Sequence, residues 1–317
     1  SHVAIAIDGG GLKGVIPARA LAILEEYLGR PCSAIFRVAA GTSTGSIISA
    51  GIGAGLSAQD LHGLYLDLGS SIFRRSWRTA LFPLTRYRYP GEPLERALRQ
   101  HLGELTMADL WQGPERIDVV ITAFDLVENR TRFIKPWKTE YAAWPLYKAV
   151  MASSTVPTLF PVVDGRYVDG GVGSYTNPCY LAAYEAICCL GWPPEETTLI
   201  SLGCGHPPAG MAPGAASRLR PWNWLSPVAG AFLQSADHQQ QHLVDLIWPR
   251  LDFRRFQVPL PEPIPSDDPA RVPELSGYGA LMGEKILNDD MEEIAPLQLP
   301  REAVGEAVSA ARRVLPR

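Results

Sequence analysis

The sequence predicts an α/β fold: a three-layer α/β/α domain built around a mostly parallel central sheet. Three observations carry this. Short apolar runs recur through the first two hundred residues, at Val3–Ile7, Phe36–Ala40, Ile117–Phe124 and Thr197–Leu202. Stretches with apolar residues at helical spacing separate them. The turns that lead from the first two runs into helices are rich in glycine. Strands alternating with helices are covered on both faces, so they read as nearly continuous apolar runs.

The elements follow in order. After Val3–Ile7, Asp8 and three glycines turn the chain. A helix then shows in Val15, Ala18, Leu21, Ala22, Leu24 and Leu28, with Gly29 and Pro31 as stop signals. Phe36–Ala40 reads as a second strand, followed by Gly-Thr-Ser-Thr-Gly and a small-residue helix to about Gly55. Ser57 precedes another apolar-periodic run and caps it. Ile117–Phe124 is a buried strand, and the turn VENR joins it to the alternating TRFIKP as a hairpin. Pro145 opens a helix through KAVMASS that ends before Pro157. Tyr167-Val168 leads into Asp169-Gly170-Gly171, and Thr197–Leu202 is a further strand. From Pro207 the composition shifts, with prolines at 207, 208, 213, 221 and 227 and again through PLPEPIP. Val228–Ile247 and Glu302–Val314 are helix-compatible. Residues 1–206 therefore read as the core, and 207–317 as a proline-rich, helical cap packed on the same domain.

A chain of 317 residues can bury about three quarters of its unfolded surface, so no disulfide framework is required. The net charge of −4 argues against a nucleic-acid partner. The five cysteines (Cys32, Cys179, Cys188, Cys189, Cys204) are odd in number and lack metal-site spacing; they read as reduced thiols in a cytoplasmic protein that holds no metal and no cofactor. The longest uncharged run, between Arg37 and Asp60, has the length of a membrane span. Its glycines, serines and threonines leave too little apolar surface for one, so the chain is not expected to be an integral membrane protein. Ser1-His2 reads as the remainder of a cleaved tag, which leaves a removed signal peptide open.

Three motifs carry chemistry. Gly41-Thr42-Ser43-Thr44-Gly45 sits between a strand and a helix. A nucleophilic serine needs a sharp turn there, and glycines two residues either side let the backbone approach. The helix that follows directs its positive end at the site. Asp8-Gly9-Gly10-Gly11-Leu12-Lys13-Gly14 is the second motif. Gly9, Gly11 and Gly14 satisfy a dinucleotide-loop spacing, but Glu25 and Glu26 lie inside the first helix, not at the end of a second strand. A Walker loop fails because Lys13 precedes glycine. The better use is an oxyanion hole of converging N–H groups, each worth about 2.7–4 kcal/mol. The third motif is Asp169-Gly170-Gly171, 126 residues after Ser43.

DGGGLKG, GTSTG and DGG, in this order, resemble the patatin-like phospholipases. AVMASSTVPTLFP, Asn177-Pro178 and LISLGCG extend the similarity, which covers residues 3–206. The resemblance implies a patatin-like fold in which Ser43 is the nucleophile and Asp169 the general base and acid. It implies oxyanion donors at Gly10 and Gly11, joined by Thr44, the residue after the nucleophile. Gly9, Gly14, Lys13, Gly41, Gly45, Gly170 and Gly171 complete the motifs. It also implies cleavage of lipid or phospholipid acyl esters by a Ser–Asp dyad without histidine, and in some bacterial members activation by a cyclic nucleotide, a small-molecule regulator.

Direct proton transfer to Asp169 needs contact within about 2.6–3.2 Å and works better if an apolar wall, to which Val168, Val172 and Tyr175 are candidates, raises its pKa. Lys13 reads as an anchor for the loop or for a phosphate. The alternatives left open are a Ser–His–Asp triad through His206, just past a strand, and a nucleotide-regulated effector. Arg74, Arg75, Arg78, Arg86 and Arg88 fall within fifteen residues that contain no acid, among Trp77, Phe82, Tyr87 and Tyr89. The segment Arg74–Tyr89 reads either as a peripheral docking surface for anionic headgroups or as a solvated basic face.

Overall fold

A computed structural model describes residues 2–74, 76–82, 84–112, 116–208 and 210–294. The helix expected over 302–314 and Arg75 lie outside the described residues. Strand β1 (His2–Ile7) leads through the glycine loop into α1 (Val15–Leu28), which ends on Gly29 in the left-handed region. Then follow β2 (Val38–Thr42), α2 (Thr44–Gly53) and α3 (Ala58–Ser71), the last capped by the Ser57 hydroxyl, which accepts from Asp60 N–H at 3.0 Å. Next come α4 (Trp77–Leu81), α5 (Glu92–Leu102), β3 (Asp118–Asp125), β4 (Arg130–Ile134), α6 (Thr139–Ala142), α7 (Leu146–Ser154) and β5 (Tyr167–Asp169). The chain continues through α8 (Cys179–Tyr184), β6 (Thr197–Leu202), α9 (Leu225–Ile247), β7 (Asp252–Phe256) and α10 (Val272–Leu287).

The sheet order is β4-β3-β2-β1-β6-β7, with β5 paired to β3. The pairs among β3, β2, β1, β6 and β7 are parallel, while β4 and β5 run antiparallel to β3. The second strand begins and ends two residues later than the apolar run suggested. The Phe36 N–H is taken by Cys32 O in a preceding turn, whereas Gly41 and Thr42 still have ladder partners in Ile7, Ile121 and Thr122. Strand alternation divides the core into two layers. Ile5, Ile7, Ala39, Val119 and Ile121 face α1, α2, α3, α5, α7 and α10, while Ala4, Ala6, Val38, Ala40 and Val120 face α8 and α9.

Two elements beyond residue 206 were not legible as periodic runs. β7 extends the sheet beside β6, and α10 lies along α1.

One detail of register matters for the site. Along β3, Thr122 pairs with Thr42 of β2 and the next residue, Ala123, pairs with Asp169 of β5. Strand β5 thus takes over the edge of β3 where β2 leaves it, and the chain leaving β2 at Ser43 turns beside Asp169.

Candidate active site

Ser43 stands at the turn from β2 into α2 with φ 53° and ψ −124°. A non-glycine residue held there is strained, and the surroundings hold it in place. Its N–H donates to Ser153 Oγ at 2.8 Å, and its carbonyl accepts from Ser46 Oγ at 2.6 Å and Ser154 Oγ at 3.0 Å. The flanking glycines are steric necessities. A Cβ at Gly41 would stand 2.2 Å from the Gly45 carbonyl oxygen, and one at Gly45 would stand 2.1 Å from that of Ile7. Ser43 precedes the first turn of α2, whose free N–H groups and dipole face it.

Asp169 ends β5 and is 6% exposed. Its N–H donates to Thr155 O at 3.2 Å, and its Oδ1 accepts from Gly171 N–H at 2.8 Å. Burial raises its pKa from 3.8 to about 6, against the opposing pull of hydrogen bonds from the Ser43 hydroxyl and the Gly171 amide. Oδ2 is buried and accepts no well-aligned hydrogen bond, so the Ser43 contact is looser than the reacting one, as is common before substrate binds. Of the residues expected as an apolar wall, Val168 is buried but precedes Asp169 on the same strand and so points to the other face, and Tyr175 is half-buried. Val172 is not part of it, because the turn after Asp169 carries it outward to 40% exposure. The run Ser153-Ser154-Thr155 at the end of α7 holds both halves, two hydroxyls on the elbow and one carbonyl on the base strand.

The glycine loop faces this pair. Gly9 N–H donates to Thr176 O at 2.9 Å and Leu12 N–H to Ser266 O at 2.8 Å, whereas no backbone carbonyl among the described residues accepts from Gly10 or Gly11. Gly11 has φ +61°, and a Cβ there would stand 2.5 Å from Ser266 O. Gly14 packs on Thr44 and Tyr65, and the Tyr65 hydroxyl lies 2.6 Å from both Thr44 Oγ1 and the Thr44 carbonyl. Gly170 abuts Thr122 and Gly9 abuts Ser43. Lys13 closes the loop by donating its N–H to Gly10 O at 3.3 Å, and burial lowers the pKa of its amine. Cys204 backs Gly10 and donates to Asp8 O at 3.3 Å; burial pushes its thiol up, so it is no nucleophile.

Sequence reasoning missed the support beneath this loop. Arg255, fully buried on β7, grips Asp8 with two hydrogen bonds of 2.9 and 2.6 Å and donates to Ser201 Oγ at 2.9 Å. Asp237 of α9 stands 3.4 Å from the same guanidinium and accepts from Asn177 Nδ2 at 2.7 Å. Burial pushes the Asp8 pKa up to about 7 against the lowering pull of the guanidinium; the bidentate geometry is that of an ionised carboxylate. The available signal was the alternation within Asp-Phe-Arg-Arg-Phe, which sends Arg254 out and Arg255 in.

His206 stands four residues past the end of β6. Its backbone extends the β6–β7 ladder, with N–H to Val258 O at 3.1 Å, and its side chain is exposed. His62 is buried against Ser276 Oγ at 2.9 Å. The described residues contain no cluster of His, Cys, Asp and Glu that could hold a metal ion. In the segment Arg74–Tyr89, Arg78 stacks on Trp77 and Tyr87, and Arg88 stacks on Phe82 and pairs with Asp267. Asp267 follows Ser266, which touches Gly11, so this segment borders the glycine loop.

A profile described as patatin-like phospholipase matches residues 5–183. The chain is 30% identical over 182 residues to an intracellular phospholipase A2 of Caenorhabditis elegans, covering 55% of this chain and 16% of that one. It is 33% identical over 212 residues to patatin-like protein 1 of Oryza sativa subsp. indica, covering 56% and 49%. It is 30% identical over 180 residues to a cGAMP-activated phospholipase of Pseudomonas aeruginosa, covering 54% and 52%. The chain thus spans about half the length of the last two relatives and much less of the first.

Proposed function

The chain belongs to the patatin-like phospholipase family, and from that premise we propose that it is a lipid acyl hydrolase working through a Ser43–Asp169 dyad. The observation that carries this is the buried carboxylate, raised to about 6, beside a serine held at a strained elbow. Asp169 takes the Ser43 proton as Oγ attacks the acyl carbonyl. The negative oxygen of the tetrahedral intermediate meets the N–H groups of Gly10, Gly11 and Thr44. Asp169 returns the proton to the departing alcohol, and water then releases the acyl group by the same route in reverse. Phospholipids are the substrate class. Free thiols throughout fit a reducing, cytoplasmic setting, with contact at a membrane surface. No described helix is long and apolar enough to cross a membrane.

Fatty-acid release from mixed phospholipid vesicles tests the reading. Ser43→Ala should lower it by about 10⁴–10⁶-fold without unfolding the protein. Retained activity in that variant would end the proposal. Loss of activity in His206→Ala as deep as in Asp169→Asn would replace the dyad with a triad. A second reading concerns control. Arg74, Arg78 and Arg96 line a cleft of about 580 Å³ beside Trp77, and no acid is among its described lining residues. Such a cleft suits the phosphates of a headgroup or of a small regulator like the one named for the Pseudomonas relative.

A further inference from the structure

Helix α9 outruns the sheet it covers. Its 23 residues extend about 34 Å, whereas the 5- and 6-residue strands β7 and β6 reach about 17–20 Å. The helix connects the end of β6 to the start of β7, and these strands are parallel, so it runs back against both. Its C-terminal half packs beside the sheet along a seam of Ala236, Gln240 and Val244, spaced four residues apart, all buried. Its N-terminal half therefore stands beyond the carboxyl edge of the strands, the edge that carries Ser43 and the glycine loop. Asp237 and Gln240 mark the departure point, bonded to Asn177 and to the Ser174 carbonyl just after Asp169.

Beyond that point no described residue covers the helix. Residues 228–235 are all exposed, among them Val228, Phe232 and Leu233. The turn before the helix exposes Trp222 at 70% and Trp224, with the Arg220 guanidinium 5.6 Å over the Trp222 ring. From 207 to 236 the sequence holds Arg218 and Arg220 and no acid, in a chain of net charge −4. Exposed tryptophans and apolar residues beside arginines, with no acid, suit an anionic headgroup layer. Tryptophan at the boundary and arginine toward anionic lipid are the matching chemistry.

We propose that the N-terminal half of α9, with the Trp222–Trp224 turn, embeds in the headgroup layer of an anionic leaflet and holds the mouth of the active site against it. This rests on the lipid-hydrolase reading for its purpose, but its test does not use hydrolysis. Ser43→Ala protein, which should leave the vesicles intact, is floated with phosphatidylcholine vesicles with and without phosphatidylglycerol. The parent should float, more so with phosphatidylglycerol, and adding Phe232→Asp and Leu233→Asp should lower the bound fraction about tenfold or more. With Ser43 intact, the same two substitutions should leave cleavage of a soluble short-chain ester within about twofold. Failure of the parent to bind, equal flotation of the variant, or a dimer that the substitutions dissolve without changing vesicle binding would each overturn the proposal. Normal flotation with no ester of any kind cleaved would uphold it and remove the hydrolase reading instead.

Discussion

The pKa of Asp169 ties catalysis to stability. As the proposed general base it must be ionised, so kcat/KM on a soluble ester should rise with pH through about 6 and then level. Ionisation is opposed by burial. A carboxyl whose folded pKa stands above its unfolded value destabilises the fold as pH rises from the unfolded value of 3.8 through about 6, at about 1.4 kcal/mol per pH unit. Asp169→Asn should therefore melt with the parent at pH 4 and be more stable by up to about 3 kcal/mol at pH 8, while losing about 10⁴-fold in activity. Calorimetry at the two pH values checks the sign; a gain that is equal at both would mean the carboxyl is not perturbed. At this scale the sequence was informative. Ser43, Asp169 and the glycines are short motifs at strand ends, and a turn that admits so few residue types is visible without a structure. The burial that perturbs Asp169 was not, because it depends on which distant segments fold over the strand end.

Strands and helices were legible where their apolar pattern is plain and hidden where long-range contacts decide. The hairpin of β3 and β4 and the helix starting at Ser57 follow from local pattern and capping. β7 reads as a charged pentapeptide, and its place beside β6 comes from pairing, with Arg255 stabilised inside by Asp8. α10 carries glycines that argue against a helix, yet two of them permit its close packing. A Cβ at Gly279 would stand 2.6 Å from the Arg19 Cβ, and one at Gly283 would stand 2.8 Å from Ile23 Cδ1. The Arg255 pair makes a sharp prediction. Arg255→Met leaves Asp8 buried without its partner and should cost about 3–5 kcal/mol in urea unfolding. Adding Asp8→Asn should recover part of that loss. Activity should remain low in both, because the strand end that supports the glycine loop is no longer pinned to β7. Full activity in Arg255→Met would show that the loop holds its shape unaided.

At the scale of the whole molecule, the sheet edge that carries Ser43 lies between two borders, the segment Arg74–Tyr89 on one side and the exposed half of α9 on another. Trp77, Leu81 and Leu84 are exposed in the first, among its arginines. If that border contributes attraction to anionic lipid, vesicle hydrolysis should fall as salt rises, over a screening length of about 8–10 Å. Arg78→Gln with Arg86→Gln should lower vesicle hydrolysis and its salt sensitivity together, at about 1 kcal/mol for each cation near the surface, and spare a soluble ester. Equal losses on both substrates would assign the segment to the fold. The takeover of the β3 edge by β5 has a separate consequence, for the birth of the protein on the ribosome. That pairing helps to make neighbours of Ser43 and Asp169, yet 126 residues of synthesis separate them. The guanidinium that steadies the glycine loop is translated later still, at position 255. A nascent chain thus carries Ser43 long before it carries Asp169, and a ribosome stalled anywhere before β7 releases a fragment without Arg255. The order of the strands thus brings Ser43, Asp169 and Arg255 together only once β7 has been made.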